Sequence, residues 1–295
     1  MTDIGGKTAL VTGGASGIGL GIARAFARRG ARVVVADVDG DRARAAVEQL
    51  SAPAGAVNVQ LDVTSRAMWK EAAARIRETL GPVHILCNNA GVGGGPGLID
   101  DYDFETWLWT HDVNLNSVVH GLQVFLPEMK AGGERCHVIN TASMVALVPT
   151  PNSIAYLSSK AAVVALSAGL RHELREHDVG VSLLCPGMTA TRIVETSGKL
   201  RPGFKETVTD EKMKAMQALL ANGMNPDAVG EKVARSVEAD EFYIFTHAEW
   251  GPLFEMHVRE IIGSFGESAD PSHRDDLSAL LATLQAPNVP RVDRE

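Results

Sequence analysis

Between residue 7 and about residue 185, short apolar runs alternate with longer segments whose apolar residues recur at helical spacing. The runs are KTALVT, RVVVAD, VNVQLDV, VHILCNNAG, HVINTAS and VSLLCPG. Between them lie Leu20 to Arg29, Arg42 to Leu50, Trp69 to Leu80, Trp107 to Met129 and Ser153 to His177. Short continuous runs suit buried strands, and periodic segments of ten or more residues suit helices. The alternation predicts repeated βαβ units, hence an α/β fold with a doubly wound parallel sheet and helices on both faces. Past residue 187 the rhythm breaks. Residues 188–225 read as a mixed, partly helical excursion, Pro226 to Ala239 as a helix, FYIFT as a last strand and 248–286 as helical, with a loose tail APNVPRVDRE. The expected organisation is one domain: a core at 1–247 with a lid-like insertion at 188–225, and a helical C-terminal extension at 248–295.

Composition narrows the function classes. Across 295 residues, 28 Lys and Arg face 36 Asp and Glu, a net charge of -8, and no block of five or six like charges occurs. Such a chain has no long-range attraction for nucleic acid or an anionic membrane. No 18-residue apolar run and no leader pattern is present, so a cytoplasmic protein is expected. Cys87, Cys136 and Cys185 stand apart in apolar runs and read as reduced core residues. The nine histidines show no H-x-x-x-H spacing beside an acid, which argues against a metal site.

In doubly wound sheets, ligands bind beyond the carboxyl ends of the strands. Those ends read TGGASGIG, AD, LDV, NNAGVGGG, NTAS and PGMTAT. Gly13, Gly17 and Gly19, with Ser16 and Ile18, lie between the first strand and the first helix. Glycines there permit a tight turn and close approach of a diphosphate, while the free N–H groups of the helix start favour its charge. The spacing is G-x-x-x-G-x-G, so the commoner G-x-G-x-x-G fingerprint does not apply literally. Asp37 follows 24 positions after Gly13, near the offset of an acid that binds a ribose 2'-hydroxyl. The loop has Ser16 and the residues after Asp37 are Val38 and Asp39, so no Arg or Lys stands ready to neutralise a 2'-phosphate, which favours NAD over NADP. Capping of the next helix is the alternative use of such an acid, one that Asp39 or Asp41 also suits. Asp62 and Val63 are placed to face an adenine.

Tyr156 and Lys160, four residues apart, share one helical face. A tyrosine used as a base near neutral pH must drop roughly two to three units from its usual value of about 10, and an adjacent ammonium acts in that direction. Y-x-x-x-K alone is commonly an ordinary helix pair. Ser143, 13 residues earlier at a strand end, has a hydroxyl suited to a substrate oxygen. Asn114 sits in an Asn-Leu-Asn stretch that suits a helix interior poorly and is suited to a local break holding a water. Trp107, Trp109 and His111 either reach a substrate cleft or pack a core or an interface.

Taken together, TGGASGIG, Asp37, Asp62, NNAG at 88–91, Asn114, Ser143, YLSSK at 156–160 and PGMTAT at 186–191 resemble the classical short-chain dehydrogenase/reductase family, a Rossmann-fold family, over about residues 5–247. The resemblance implies that Tyr156 is the general acid/base, Ser143 orients the reacting oxygen, Lys160 binds the nicotinamide ribose and lowers the tyrosine pKa, and Asn114 holds a relay water. It also implies cofactor contacts from Ile18, Asn89, Ala90, Gly91, Pro186, Gly187, Thr189 and Thr191. The segment with KLRPGFKE and EFYIFTHAEWGPLFEMHVREII is similar to bacterial aryl-ether Cα-dehydrogenases, although helical extensions are also common in the family at large.

The resulting expectation is an NAD-dependent dehydrogenase of a moderately hydrophobic secondary alcohol, with Gly93, Met144, Val145, Asn152, Met188 and the 192–225 segment around the substrate. An NADPH-type ketone reductase and a non-catalytic nucleotide-binding redox sensor are the rival readings. Apolar positions on the segments containing Leu115, Val118, Val119, Leu122 and Phe125, and Val163, Val164, Leu166 and Leu170, exceed what one sheet face needs. A homodimer or homotetramer is therefore expected.

Overall fold

Seven short strands, rich in β-branched and aliphatic residues, form one sheet: β1 (Thr8–Thr12), β2 (Arg32–Asp37), β3 (Ala56–Gln60), β4 (Ile85–Asn88), β5 (Cys136–Thr141), β6 (Val179–Cys185) and β7 (Tyr243–Phe245). The helices are α1 (Gly17–Arg28), α2 (Gly40–Gln49), α3 (Arg66–Leu80), α4 (Phe104–His111), α5 (Ser117–Ala131), α6 (Ile154–Glu173), α7 (Ile193–Leu200), α8 (Glu211–Ala221), α9 (Pro226–Ala239) and α10 (Gly251–Gly263). The structure, a computed structural model, describes residues 2–95, 97–151, 153–201, 203, 211–265, 276–278, 281 and 284. Asn152 and most of the chain beyond residue 265 lie outside the described residues.

The sheet order is β3-β2-β1-β4-β5-β6-β7, with every pair parallel. This is the Rossmann arrangement, and the order reverses between β1 and β4, where a crevice opens at the strand ends. Because side chains alternate along a strand, Ala9 and Val11 enter one core layer and Leu10 the other. The Ala9 layer is covered by α1, α2 and α9 through Ile22, Ala43 and Val229, and the Leu10 layer by α3, α5 and α6 through Trp69, Val118 and Val163.

α1 and α9 cross where neither has a side chain. A Cβ on Gly21 would stand 2.1 Å from the Pro226 carbonyl oxygen, and one on Gly230 would stand 2.1 Å from that of Gly21. Around this crossing Arg24 pairs with Asp227, Arg28 with Glu231, and Arg29 with both Glu231 and Glu238.

The helix expected from Trp107 to Met129 is not continuous. Between α4 and α5 the backbone makes a π-type turn at Asp112–Asn116, and Asn114 lies buried in it. The expected excursion at 188–225 contains α7 and α8. Its ends are tied together: Met224 N–H donates to Met188 O at 2.9 Å and Ala190 N–H to Met224 O at 2.9 Å. In the C-terminal part, α10 exposes Leu253, Met256 and Ile262. No helix among the described residues is long and apolar enough to cross a membrane. All three cysteines are free and buried, with burial pushing Cys87 and Cys185 up to about 12 and Cys136 to about 11.

Some of the apolar surplus assigned to subunit pairing is used inside the chain. Val118, Leu122, Phe125, Val163 and Leu170 are buried in the core, while Leu115, Val164 and Leu166 are only partly buried.

Candidate active site

At the switch point a cleft of about 340 Å³ runs along the carboxyl ends of β1, β2, β4 and β5. One end is built from main chain. Gly13 and Gly17 have φ of 61° and 51°, conformations that favour glycine. A Cβ on Gly19 would lie 2.2 Å from the Gly13 carbonyl oxygen. Ser16 caps α1 without spending its side chain on the helix. Gly13, Ser16, Gly17, Ile18 and Gly19 all line the cleft, at the N-terminus of a 12-residue helix. This is a cradle that side chains would fill, and it fits a diphosphate.

Asp37 ends β2 beside that cradle. Its carboxylate accepts the Ala15 N–H at 3.2 Å and the Asp39 N–H at 3.1 Å. Burial raises its pKa, with those two hydrogen bonds working against the rise. The capping role is taken by Asp39, which accepts the Arg42 N–H at 3.0 Å. Asp62 accepts from the Thr64 N–H and hydroxyl, and with Val63 it lines the same end.

Asn89, Ala90 and Gly91 form the floor. Thr12, which sequence reasoning passed over, organises them: its hydroxyl oxygen accepts the N–H groups of Asn89 and Ala90 at 2.9 and 3.0 Å. Its only signal was a threonine in place of an aliphatic residue at the end of β1.

At the other end stand Tyr156 and Lys160. Lys160 is 3% exposed and donates to the Thr141 carbonyl at 2.8 Å, with Nζ 5.9 Å from the Tyr156 ring centroid. Burial lowers the Lys160 pKa to about 8. The lowering of the tyrosine expected from this ammonium is not what the chain's own side chains produce. Burial raises the Tyr156 pKa, and the opposing influence is a hydrogen bond with Ser143.

Asn114 and Ser143 do not line the cleft themselves. Asn114 accepts the Val92 N–H at 2.8 Å and donates to Val92 O at 2.9 Å and Ser159 Oγ at 3.0 Å. That side chain fastens the loop after β4 to α6. Ser159 in turn donates to the Tyr156 carbonyl at 2.7 Å.

Pro186 and Thr191 line the cleft, whereas Gly187 and Thr189 do not. The Gly187 N–H donates to Thr246 Oγ at 3.1 Å, and the Thr189 hydroxyl donates to Gly187 O. Of the expected substrate residues, Gly93, Met144, Val145 and Met188 are absent from the lining. Met144 is buried, the Gly93 N–H is taken by Ser197 Oγ at 2.8 Å, and Met188 is held in the bridge to Met224. Apolar side chains lining the cleft include Val92, Trp109, Val113, Ile193 and Leu200, the last two from the expected 192–225 segment. Trp107 packs on the His111 ring at 4.3 Å, and His111 contacts Ser158 Oγ at 3.1 Å. Two cations that the sequence reading left out, Arg42 and Arg192, also line the cleft. Among the described residues no cluster of three or more His, Cys, Asp or Glu side chains is placed to hold a metal.

Residues 7–201 match the short chain dehydrogenase family. The chain is 30% identical to the C alpha-dehydrogenase of Sphingobium sp. over 96% of its own length and 94% of the relative's. It is 35% identical to 1-deoxy-11-beta-hydroxypentalenate dehydrogenase of Streptomyces avermitilis, covering 82% of this chain and 85% of that one. A solved short chain dehydrogenase/reductase from Burkholderia phymatum, in complex with NAD, superposes with a TM-score of 0.84 at 32% identity, covering 92% of this chain and 99% of the other. The chain belongs to the short chain dehydrogenase family.

Proposed function

From that membership as premise, we propose that the protein is an NAD-dependent oxidoreductase that interconverts a moderately hydrophobic secondary alcohol and its ketone. The observation that carries this is one continuous cleft with a glycine cradle and Asp37 at one end and Tyr156 and Lys160 at the other, with Ser143 hydrogen-bonded to Tyr156 behind the lining. The Asp37 carboxylate suits a ribose diol and repels a 2'-phosphate. The nicotinamide, when bound, supplies the hydride acceptor or donor and, oxidised, a positive charge.

In this reading the Ser143 hydroxyl holds the reacting oxygen and Tyr156 takes the alcohol proton, or returns it in the reduction. Lys160, anchored on Thr141 O, binds the ribose of the nicotinamide half. The added positive charge at this end supplies the downward pull on the phenol that Lys160 alone does not. The Asn114 amide, committed to Val92 and Ser159, holds the loop after β4 against α6 beside the place of the expected relay water. Asn89, Ala90, Gly91, Pro186 and Thr191 orient the cofactor, with Gly187 and Thr189 shaping the loop that carries Thr191.

Residues 188–225 act as a lid over the substrate and the apolar wall selects against charged alcohols. Partly exposed Leu115, Val164 and Leu166 support pairing between subunits, and light scattering at micromolar concentration should give a dimer or tetramer. The direct test is a screen of secondary alcohols, benzylic, alicyclic and steroid, with NAD and with NADP, following reduced-nicotinamide absorbance. Turnover with NAD on one class supports the reading. Tight NAD binding with no turnover on any class overturns it in favour of a sensor.

A further inference from the structure

The adenosine end of the cleft holds a cation as well as an acid. Arg42, in the first turn of α2, lines the cleft together with Asp37 and Val38. Its charge acts on the Asp37 carboxyl. Among the described residues its ion pair is a single contact from Nε to Asp39 Oδ2 at 3.4 Å, with the Arg42 side chain 39% exposed. Such a contact engages one edge of a guanidinium that presents five donors in a fixed fork, a shape matched to phosphate oxygens. Glu195, in the first turn of α7, lies near enough to interact with Arg42. It is bonded to Lys199 and also feels Arg192 and Arg42. The charges facing Arg42 are therefore Asp37, Asp39 and Glu195, with Arg192 as a second cation.

We infer that Arg42 sets how strongly the cleft discriminates against a nucleotide bearing a 2'-phosphate. Asp37 repels that group and Arg42 attracts it from the start of α2, so the phosphorylated nucleotide binds weakly instead of being excluded. The inference rests on the proposed dinucleotide reading of the cleft and adds to it a residue placed by the fold. A protein with Asp37 and no cation would show a wider gap between the two nucleotides.

The test is equilibrium binding of NADH and NADPH, followed by nucleotide fluorescence, to the full chain and to Arg42→Ala, Arg42→Lys, Asp37→Ala and the double Asp37→Ala, Arg42→Ala variant. Thermal melting of each variant reports whether it is folded. Arg42→Ala should raise the NADPH-to-NADH ratio of dissociation constants about tenfold, and Arg42→Lys should restore part of it. Asp37→Ala should lower the ratio, and less so in the double variant. Added salt should weaken NADPH binding more in the unaltered chain than in Arg42→Ala. An unchanged ratio in Arg42→Ala overturns the role of Arg42 while leaving the dinucleotide reading intact. Failure of the unaltered chain to bind either nucleotide overturns the dinucleotide reading and the inference with it.

Discussion

The two ends of the cleft solve different problems with different materials. The end at Asp37 is mostly main chain: the Gly13, Gly17 and Gly19 cradle, the start of α1, and one carboxylate bonded to backbone N–H groups. The other end is mostly side chain, with Tyr156 and Lys160 presented from one face of α6 and desolvated there, and Ser143 bonded to Tyr156 from beyond β5. A backbone cradle is sensitive to bulk. A desolvated side-chain group is sensitive to charge, because burial has already moved both pKa values toward the neutral forms.

The sharpest way to break this contrast is Tyr156→Phe. It should lower kcat about 10³-fold, within the usual span for a general acid or base, while an NADH titration still saturates. Retention of more than a tenth of the parent kcat would remove Tyr156 from the chemistry.

Next is the cost of holding Lys160 in the interior. Its folded pKa of about 8 lies below the ordinary lysine value of 10.5. Between those values the unfolded chain keeps a proton that the folded chain has released, so this residue's contribution to stability improves as pH rises through the window. The gain is at most about 3 kcal/mol, and urea midpoints should rise less from pH 7.5 to 10 in Lys160→Met than in the parent. Asp37 runs the opposite way. Its raised carboxyl is protonated in the folded chain before it is in the unfolded one, so its contribution improves as pH falls through the carboxylate range.

Bulk at the cradle comes third. Gly19→Ala should weaken NADH binding about thirtyfold, equivalent to about 2 kcal/mol of misfit against the Gly13 carbonyl. An unaltered dissociation constant would show that the loop gives way. The smallest effect belongs to support at a distance: Arg24→Ala removes a half-exposed pair with Asp227 and should cost about 0.5 kcal/mol by urea titration with kcat unmoved.

The same contrast explains what the chain's letters disclosed. Strand and helix order was legible because β1 through β6 are short apolar-rich runs alternating with segments of helical period, and α9 falls on Pro226 to Ala239 as read. The cradle was legible because glycines at that turn have few other uses. Tyr156 and Lys160 became legible only in company with Ser143 and Asn114, since a helix pair four residues apart is common. The break at Asn114 was readable as a polar interruption, but its π-type geometry was not. The substrate wall was legible in part: Trp109 and the segment holding Ile193 and Leu200 were candidates for the cleft, but nothing local marked Val92 and Val113 as lining it. Arg42 was missed because α2 turns it toward the cleft from five positions beyond Asp37.

The meeting of α1 and α9 has a consequence for the order in which the protein is made. Ile22, Ala25 and Phe26 of α1 share their core layer with Val229, Val233 and Val237, which leave the ribosome some two hundred residues later. Until α9 arrives, the helix whose first turn forms the glycine cradle has part of its inner layer uncovered. Long-range closure of this kind delays consolidation of the structure. Nucleotide binding should therefore emerge late in synthesis, and ribosome-bound chains halted before residue 226 should fail to retain NADH while chains extended past residue 247 retain it.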